Sequence, residues 1–218
     1  MTDEISKHLR FWEDSCDIAT FTGWCGLDEP WKEDLCKMIL ELDLRSVLDI
    51  GCGTGIMKEI LDFYNYSSEY RYLGTEITPK FINLCETKNI PVCRGDVRDL
   101  SAYRDEEFQC VLCLDVLNHQ AEDPLPMLKE ITRLTEKLAV VSFFREFRPP
   151  VPDKSWDLSF DDAPVRVIKK HDNLIYAEYH KKYIEGFLDT LDVTYEWTTR
   201  RTTPGRHPKP PSLFIIKD

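Results

Sequence analysis

Apolar positions along this chain alternate between two rhythms. Continuous apolar runs occur at Ser46–Ile50 (SVLDI), Tyr70–Glu76 (YRYLGTE), Phe108–Leu114 (FQCVLCL) and Leu138–Phe144 (LAVVSFF), with a shorter one at Pro91–Arg94. Runs of this length predict strands buried on both faces of a sheet. Between them, apolar residues recur every three or four positions, which predicts helices at Trp31–Leu42, from Ile56 to about Asn65, from Pro79, and at Pro124–Leu134. Ile56, Ile60 and Leu61 share one helical face, and Phe81, Ile82 and Cys85 ride on the helix that Pro79 opens. Strands and helices in strict alternation imply a parallel sheet covered on both sides.

Beyond Arg145 the rhythm breaks. Arg148-Pro149-Pro150-Val151-Pro152 excludes regular structure, and residues 153–163 read as a loop. Val165–Lys169 and Leu174–Tyr179 flank His171-Asp172-Asn173 as a hairpin. A helix is predicted at Lys181–Leu191, a strand at Val193–Thr199, and a last strand at Leu213–Lys217. The prediction is therefore one domain over residues 1–218. It has a doubly wound α/β core at 46–144, an insertion at 147–179 and a separate segment at 1–30.

A chain of 218 residues with 42% hydrophobic content can bury one core of this kind. No apolar run approaches the ~20 residues of a membrane span, and the first residues carry no basic and apolar signal pattern, which leads to a cytoplasmic expectation. Thirty-nine acidic against 28 basic side chains leave a net charge of −11. Such a surface repels phosphate backbones, so tight general binding to nucleic acid is not expected. Nothing here sets the oligomeric state. Of the eight cysteines, Cys110 and Cys113 form a CxxC pair within a strand. Strand positions i and i+3 face opposite ways, so these two thiols cannot share a metal, and no metal site is predicted.

The chemistry begins at Leu48-Asp49-Ile50-Gly51-Cys52-Gly53-Thr54-Gly55, between a predicted strand and a predicted helix. Glycines there permit a tight turn and close approach of a ligand, and the helix N-terminus offers free N–H groups. The spacing is GxGxG, not the GxGxxG of a pyrophosphate loop, and Asp49 suits a ligand that carries an ammonium and a sulfonium. Glu76 ends the second strand, where an acid accepts from ribose hydroxyls or simply faces solvent. Asp96, in Arg94-Gly95-Asp96-Val97-Arg98-Asp99-Leu100, either accepts from an adenine amino group or caps a turn.

The series LDIGCGTG, TE, GDVRDL and CLDVLNH resembles the successive motifs of class I S-adenosylmethionine-dependent methyltransferases, from about Ser46 to Phe144. The resemblance implies a Rossmann-like, mostly parallel seven-stranded sheet with a terminal antiparallel hairpin, and S-adenosyl-L-methionine as cofactor. It places the methionyl part against Asp49, Gly51, Cys52 and Gly53, with Gly55 supporting the turn. Glu76 would hold the ribose, Ile77 would pack on adenine, Asp96 and Val97 would meet its edge, and Leu114 would line the methionine end. Asn-Pro-Pro-Tyr and Pro-Cys signatures are absent, and Asp115-Val116-Leu117-Asn118-His119 is similar to small-molecule methyltransferases. Transfer to an O or N of a small acceptor follows. An aminopropyl-transferring relative and a catalytically silent cofactor-binding subunit are the alternatives.

Four features stay two-sided at this level. His119 is a candidate general base or a loop-fixing residue. Asp115 is a substrate-side acid or a loop cap. The aromatics Phe11, Trp12, Phe21 and Trp24 belong to a lid or to the sheet edge. Arg200-Arg201-Thr202-Thr203-Pro204-Gly205-Arg206-His207-Pro208-Lys209 is an anion site or a solvated loop.

Overall fold

The computed structural model describes residues 10–24, 30–64, 69–120, 123–143, 165–169, 175–179, 181–200 and 209–217. A single wide helical turn, Phe11–Ser15, precedes α1 (Ile18–Trp24) and α2 (Pro30–Glu41). The core then alternates as expected: β1 (Ser46–Ile50), α3 (Ile56–Tyr64), β2 (Arg71–Glu76), α4 (Pro79–Thr87), β3 (Val92–Arg94) and β4 (Phe108–Leu114). After the short turn Leu117–His119 come α5 (Leu125–Leu134) and β5 (Thr135–Ser142). The remaining elements are β6 (Val165–Lys169), β7 (Ile175–Tyr179), α6 (Lys181–Leu188), β8 (Thr194–Arg200) and β9 (Lys209–Ile216).

Seven strands form one sheet in the order β3-β2-β1-β4-β5-β9-β8. The first five are parallel, and β9 runs antiparallel to both β5 and β8. The chain thus has the doubly wound, Rossmann-like sheet with a terminal antiparallel hairpin. Strands β6 and β7 pair antiparallel in a separate ribbon.

The central strands feed two cores. Val47, Tyr72, Cys110, Leu112 and Val140 face α2 and α3, against Leu35, Ile39, Ile60 and Leu61. Leu48, Ile50, Val111, Cys113 and Val141 face the other way, against Leu128 and Ile131 of α5 and Ile184 and Leu188 of α6. Cys110 and Cys113 therefore sit in different cores, as strand alternation requires. Leu112 is fully buried at the sheet centre, so Leu112→Ala would cost about 2–5 kcal/mol.

Three boundaries differ from the pattern-based expectation by three residues or more, each for a local reason. β5 starts at Thr135, three residues early, because the Thr135 hydroxyl donates to Ile131 O (2.7 Å) and the residue pairs at once with Phe108. α6 stops at Leu188, because the Thr190 N–H and hydroxyl both donate to Phe187 O. β9 starts at Lys209 in spite of Pro210 and Pro211. Its pairing to β5 begins only at Ser212, so on that side no ladder needs the missing proline donors. The turn at His171-Asp172-Asn173, the stretch 147–163 and positions 201–208 of the basic segment lie outside the described residues. Among the described residues, no helix is long and apolar enough to cross a membrane.

Candidate functional site

Asp49 lies one residue before the end of β1, on the face that carries Tyr72. It is 2% exposed, and the Tyr72 hydroxyl donates to its Oδ2 (2.7 Å). Burial pushes the Asp49 carboxyl up to about 7; the Tyr72 hydrogen bond and the Lys32 charge oppose this, and the Glu76 charge adds to it. The chain then turns through Gly51 (φ 67°) and Gly53 (φ 56°), left-handed conformations that favour glycine. A Cβ on Gly51 would come within 2.4 Å of Val116 Cγ2, and one on Gly53 within 2.6 Å of Phe21 Cζ. The Gly55 N–H donates to Cys52 O, closing the turn as α3 begins.

Glu76 closes the site from β2. Its Oε2 accepts the Gly53 N–H (2.9 Å), and its Oε1 accepts the N–H groups of Ile77 and Thr78 (both 2.8 Å). Burial raises the Glu76 carboxyl above its ordinary value, against those three donors. One carboxylate thus ties the glycine turn to the start of α4. The Cys52 N–H donates to Thr75 O, and Cys52 Sγ fills the space beside Gly74. The buried Cys52 thiol is pushed up by its neighbour Cys85 and by burial, so it is no nucleophile.

The third strand adds the outer edge. The Gly95 N–H donates to Glu76 O, placing Asp96 and Val97 next to the same loop. Val97 is buried, whereas Asp96 is half-buried and clasped by Arg98: Oδ1 accepts from Arg98 N and Nε, and Oδ2 pairs with the same guanidinium. Burial pushes the Asp96 carboxyl up, but the Arg98 contacts outweigh it and hold it below the usual range. Leu114 is half-buried at the end of β4 and packs against the α2–α3 core. Asp115 follows at φ 59°; its N–H and its Oδ1 both bond the Ser142 hydroxyl.

His119 ends a turn that β7 holds from behind, the Tyr179 hydroxyl donating to Leu117 O (2.5 Å) and Gln120 O (3.0 Å). The Trp12 ring stands edge-on to the His119 imidazole, 5.0 Å between centroids. Trp12 also meets Phe21 (5.9 Å), and Phe21 lies against Phe81 (4.5 Å) and over Gly53. An aromatic bridge therefore runs from His119 to the glycine turn. Lys80 fastens it by donating to the carbonyls of Glu13 and Cys16.

Asp49, Gly51, Cys52, Gly53, Gly55, Glu76 and Ile77 form one cluster, with Asp96 and Val97 at its edge. Sequence reasoning missed Tyr72, Lys32, Lys80 and Ser142. Tyr72 had a signal: a hydroxyl-bearing residue in a buried strand, diagonal to Asp49 in the register that pairs Asp49 with Gly74. Lys32 carried none, being one cation on an amphipathic helix.

Residues 48–143 match the family model of a methyltransferase domain. No curated protein matches the chain. Among solved structures it resembles magnesium protoporphyrin IX methyltransferase from Synechocystis PCC 6803 with bound SAM, at 14% identity and a TM-score of 0.65, over 100% of this chain and 98% of the other. It also resembles the Burkholderia thailandensis 1,6-didemethyltoxoflavin-N1-methyltransferase with bound 1,6-didemethyltoxoflavin and S-adenosylhomocysteine, at 18% identity and a TM-score of 0.61, over 99% of this chain and 85% of the other. Residues 48–143, from β1 to just past β5, are thus the part of this chain that matches a methyltransferase domain, on a fold shared with these enzymes.

Proposed function

We propose that this protein transfers the methyl group of S-adenosylmethionine to an oxygen or nitrogen of a small-molecule acceptor. The observation that carries the reading is the pair of buried carboxylates, Asp49 and Glu76, on either side of one glycine turn. Among the described residues Lys32 is the only buried basic side chain, so with both carboxylates ionised the surroundings of the turn are net negative. The cofactor has an ammonium, a sulfonium and a carboxylate, and is net positive. The charges complement each other.

In this assignment Asp49 faces the ammonium, and the backbone of Gly51, Cys52 and Gly53 lies along the methionyl part. Glu76 keeps lone pairs for the ribose hydroxyls beyond its three N–H contacts. Ile77 and Val97 flank the adenine, Asp96 reaches its amino group with capacity that Arg98 leaves over, and Leu114 lines the methionine end. When bound, the cofactor supplies a methyl on a cationic sulfur that is already activated. The protein's task is orientation and exclusion of water. The segment carrying Phe11, Trp12 and Phe21 acts as the lid, and His119 beneath Trp12 is the candidate to receive or hold the acceptor's proton.

Calorimetry is the test. S-adenosylmethionine and S-adenosylhomocysteine should bind and NAD should not, and a metabolite screen read by product mass should find a gain of one methyl. Tight NAD binding without a response to either sulfur nucleoside would overturn the proposal.

A further inference from the structure

Asn118 stands in the turn that follows β4 and is as fully buried as Leu117 beside it. Neither its Oδ1 nor its Nδ2 has a hydrogen-bond partner among the described residues. A carboxamide can make up to four hydrogen bonds, and burying one that makes none is costly. Asparagine in a turn ordinarily bonds the nearby backbone. This turn does not call on it. The His119 N–H donates to Val116 O, the Gln120 N–H to Leu117 O, and the Tyr179 hydroxyl to Leu117 O and Gln120 O. The neighbouring side chains have their own places. Leu117 enters the core of α5 and α6, and Val116 Cγ2 lies 2.4 Å from where a Gly51 Cβ would stand. His119 follows, against the Trp12 ring. The orphaned amide thus sits in a turn that reaches the glycine loop through Val116 and ends on the candidate general base.

We propose that the Asn118 carboxamide is kept for the methyl acceptor, and that this acceptor carries an amide edge, an N–H beside a C=O. The inference rests on the methyl-transfer reading above and adds an acceptor class to it. Nδ2 donates to the acceptor's carbonyl while Oδ1 accepts its N–H, so one two-point contact satisfies both orphaned atoms. Since both are orphaned, the assignment holds whichever way the amide is turned. The two groups must lie on one edge. A trans secondary amide cannot offer that, because its N–H and C=O point opposite ways. A ring lactam or a primary carboxamide can. The attacked oxygen or nitrogen is then a different atom of the same molecule, turned toward His119, and entry of the acceptor lifts the Trp12 segment from the turn. An acceptor without the edge leaves the buried amide unpaired and is rejected for that reason.

The test pairs stability with binding in the wild type and in Asn118→Leu, a swap of similar volume. If the amide waits for a ligand, Asn118→Leu should raise the melting temperature of the ligand-free protein by about 2–4 °C, because a buried group without partners is gone. A fall, or failure of the variant to fold, shows the amide to be structural and overturns the proposal. Binding is read by calorimetry with S-adenosylhomocysteine at saturation. The probes are carbostyril, a ring lactam, and benzamide, a primary carboxamide, each against its fully N-methylated form, which has no N–H. In the wild type at least one parent should bind about tenfold or more tighter than its methylated form, and in Asn118→Leu that preference should vanish. No binding of either parent, parity within both pairs, or a preference that survives in Asn118→Leu overturns the proposal. The pair with the larger ratio tells lactam from carboxamide. A wild type that does not bind S-adenosylhomocysteine overturns the cofactor reading instead, a result distinct from these because melting and probe binding are still read without it.

Discussion

Tyr72 on β2 donates its hydroxyl to Asp49 Oδ2 on β1 across 2.7 Å, joining the two strands where the glycine turn starts. Even so, burial holds the Asp49 carboxyl at about 7, well above its ordinary value. A raised carboxyl binds its proton more tightly when folded than when unfolded. Its contribution to stability is thus fully present below about pH 4 and is lost as pH rises through about 7, up to about 4 kcal/mol. The ligand-free protein should melt at progressively lower temperature from pH 5 to pH 8, and Asp49→Asn should flatten that slope. An ammonium ligand prefers the ionised carboxylate, so S-adenosylhomocysteine affinity should rise with pH to about 7, with proton release seen by calorimetry in two buffers of different ionisation heat. Proton uptake instead would place the ammonium elsewhere. Tyr72, Lys32 and Glu76 are the charged or titratable groups that act on this carboxyl.

Glu76 makes a second prediction because its two oxygens have different tasks. Glu76→Gln can keep a carbonyl oxygen for Ile77 and Thr78, but its amide nitrogen then opposes the Gly53 N–H, donor against donor. Both Glu76→Gln and Glu76→Ala should weaken cofactor binding by about 1–3 kcal/mol, and both should lower the melting temperature. An Asp96→Ala variant should lose affinity with little loss of melting temperature, since Asp96 is held only within its own turn by Arg98. Equal melting losses for Glu76 and Asp96 variants would contradict this division.

The proposed lid yields a kinetic prediction. Lys80 donates to two carbonyls of the Phe11–Cys16 segment, and Phe21 closes over Gly53. Lys80→Met removes both donors while leaving α4 in place. Dissociation of S-adenosylhomocysteine should quicken roughly 5- to 20-fold, followed by stopped-flow fluorescence, with melting nearly unchanged. An unaltered dissociation rate would show that the segment covers the sheet edge and gates nothing.

How much of this was legible beforehand depends on whether a residue's task is local. The strand run at Cys110–Cys113 announced its own two-faced burial, and the left-handed glycines at 51 and 53 follow from a turn that has no room for a Cβ. The sequence marked Glu76 as an acid at a strand end, but not as the carboxylate that holds the glycine turn, because its partner at Gly53 is set by strand register. Tyr72 acquires its bond to Asp49 only when β2 is laid against β1. The β9 start was missed because proline is read as a strand breaker, and only the pairing order shows that no β5 ladder asks for those donors.

His119 separates chemistry from architecture, and the structure sharpens the test. The backbone of the turn that carries it has ties of its own: the Tyr179 hydroxyl reaches Leu117 O and Gln120 O, and the His119 N–H donates to Val116 O. Tyr179→Phe should therefore lower the melting temperature more than His119→Ala does. A general base typically contributes 10²–10⁴-fold, so His119→Ala should reduce turnover by about 100-fold or more once an acceptor is in hand, with cofactor affinity close to wild type. His119→Gln then decides the chemistry. If Gln restores turnover, the side chain holds a hydrogen bond beneath Trp12; if turnover stays collapsed, it moves a proton. If His119→Ala instead melts as Tyr179→Phe does and turnover per folded molecule is intact, the residue is part of the loop's architecture and the assignment falls.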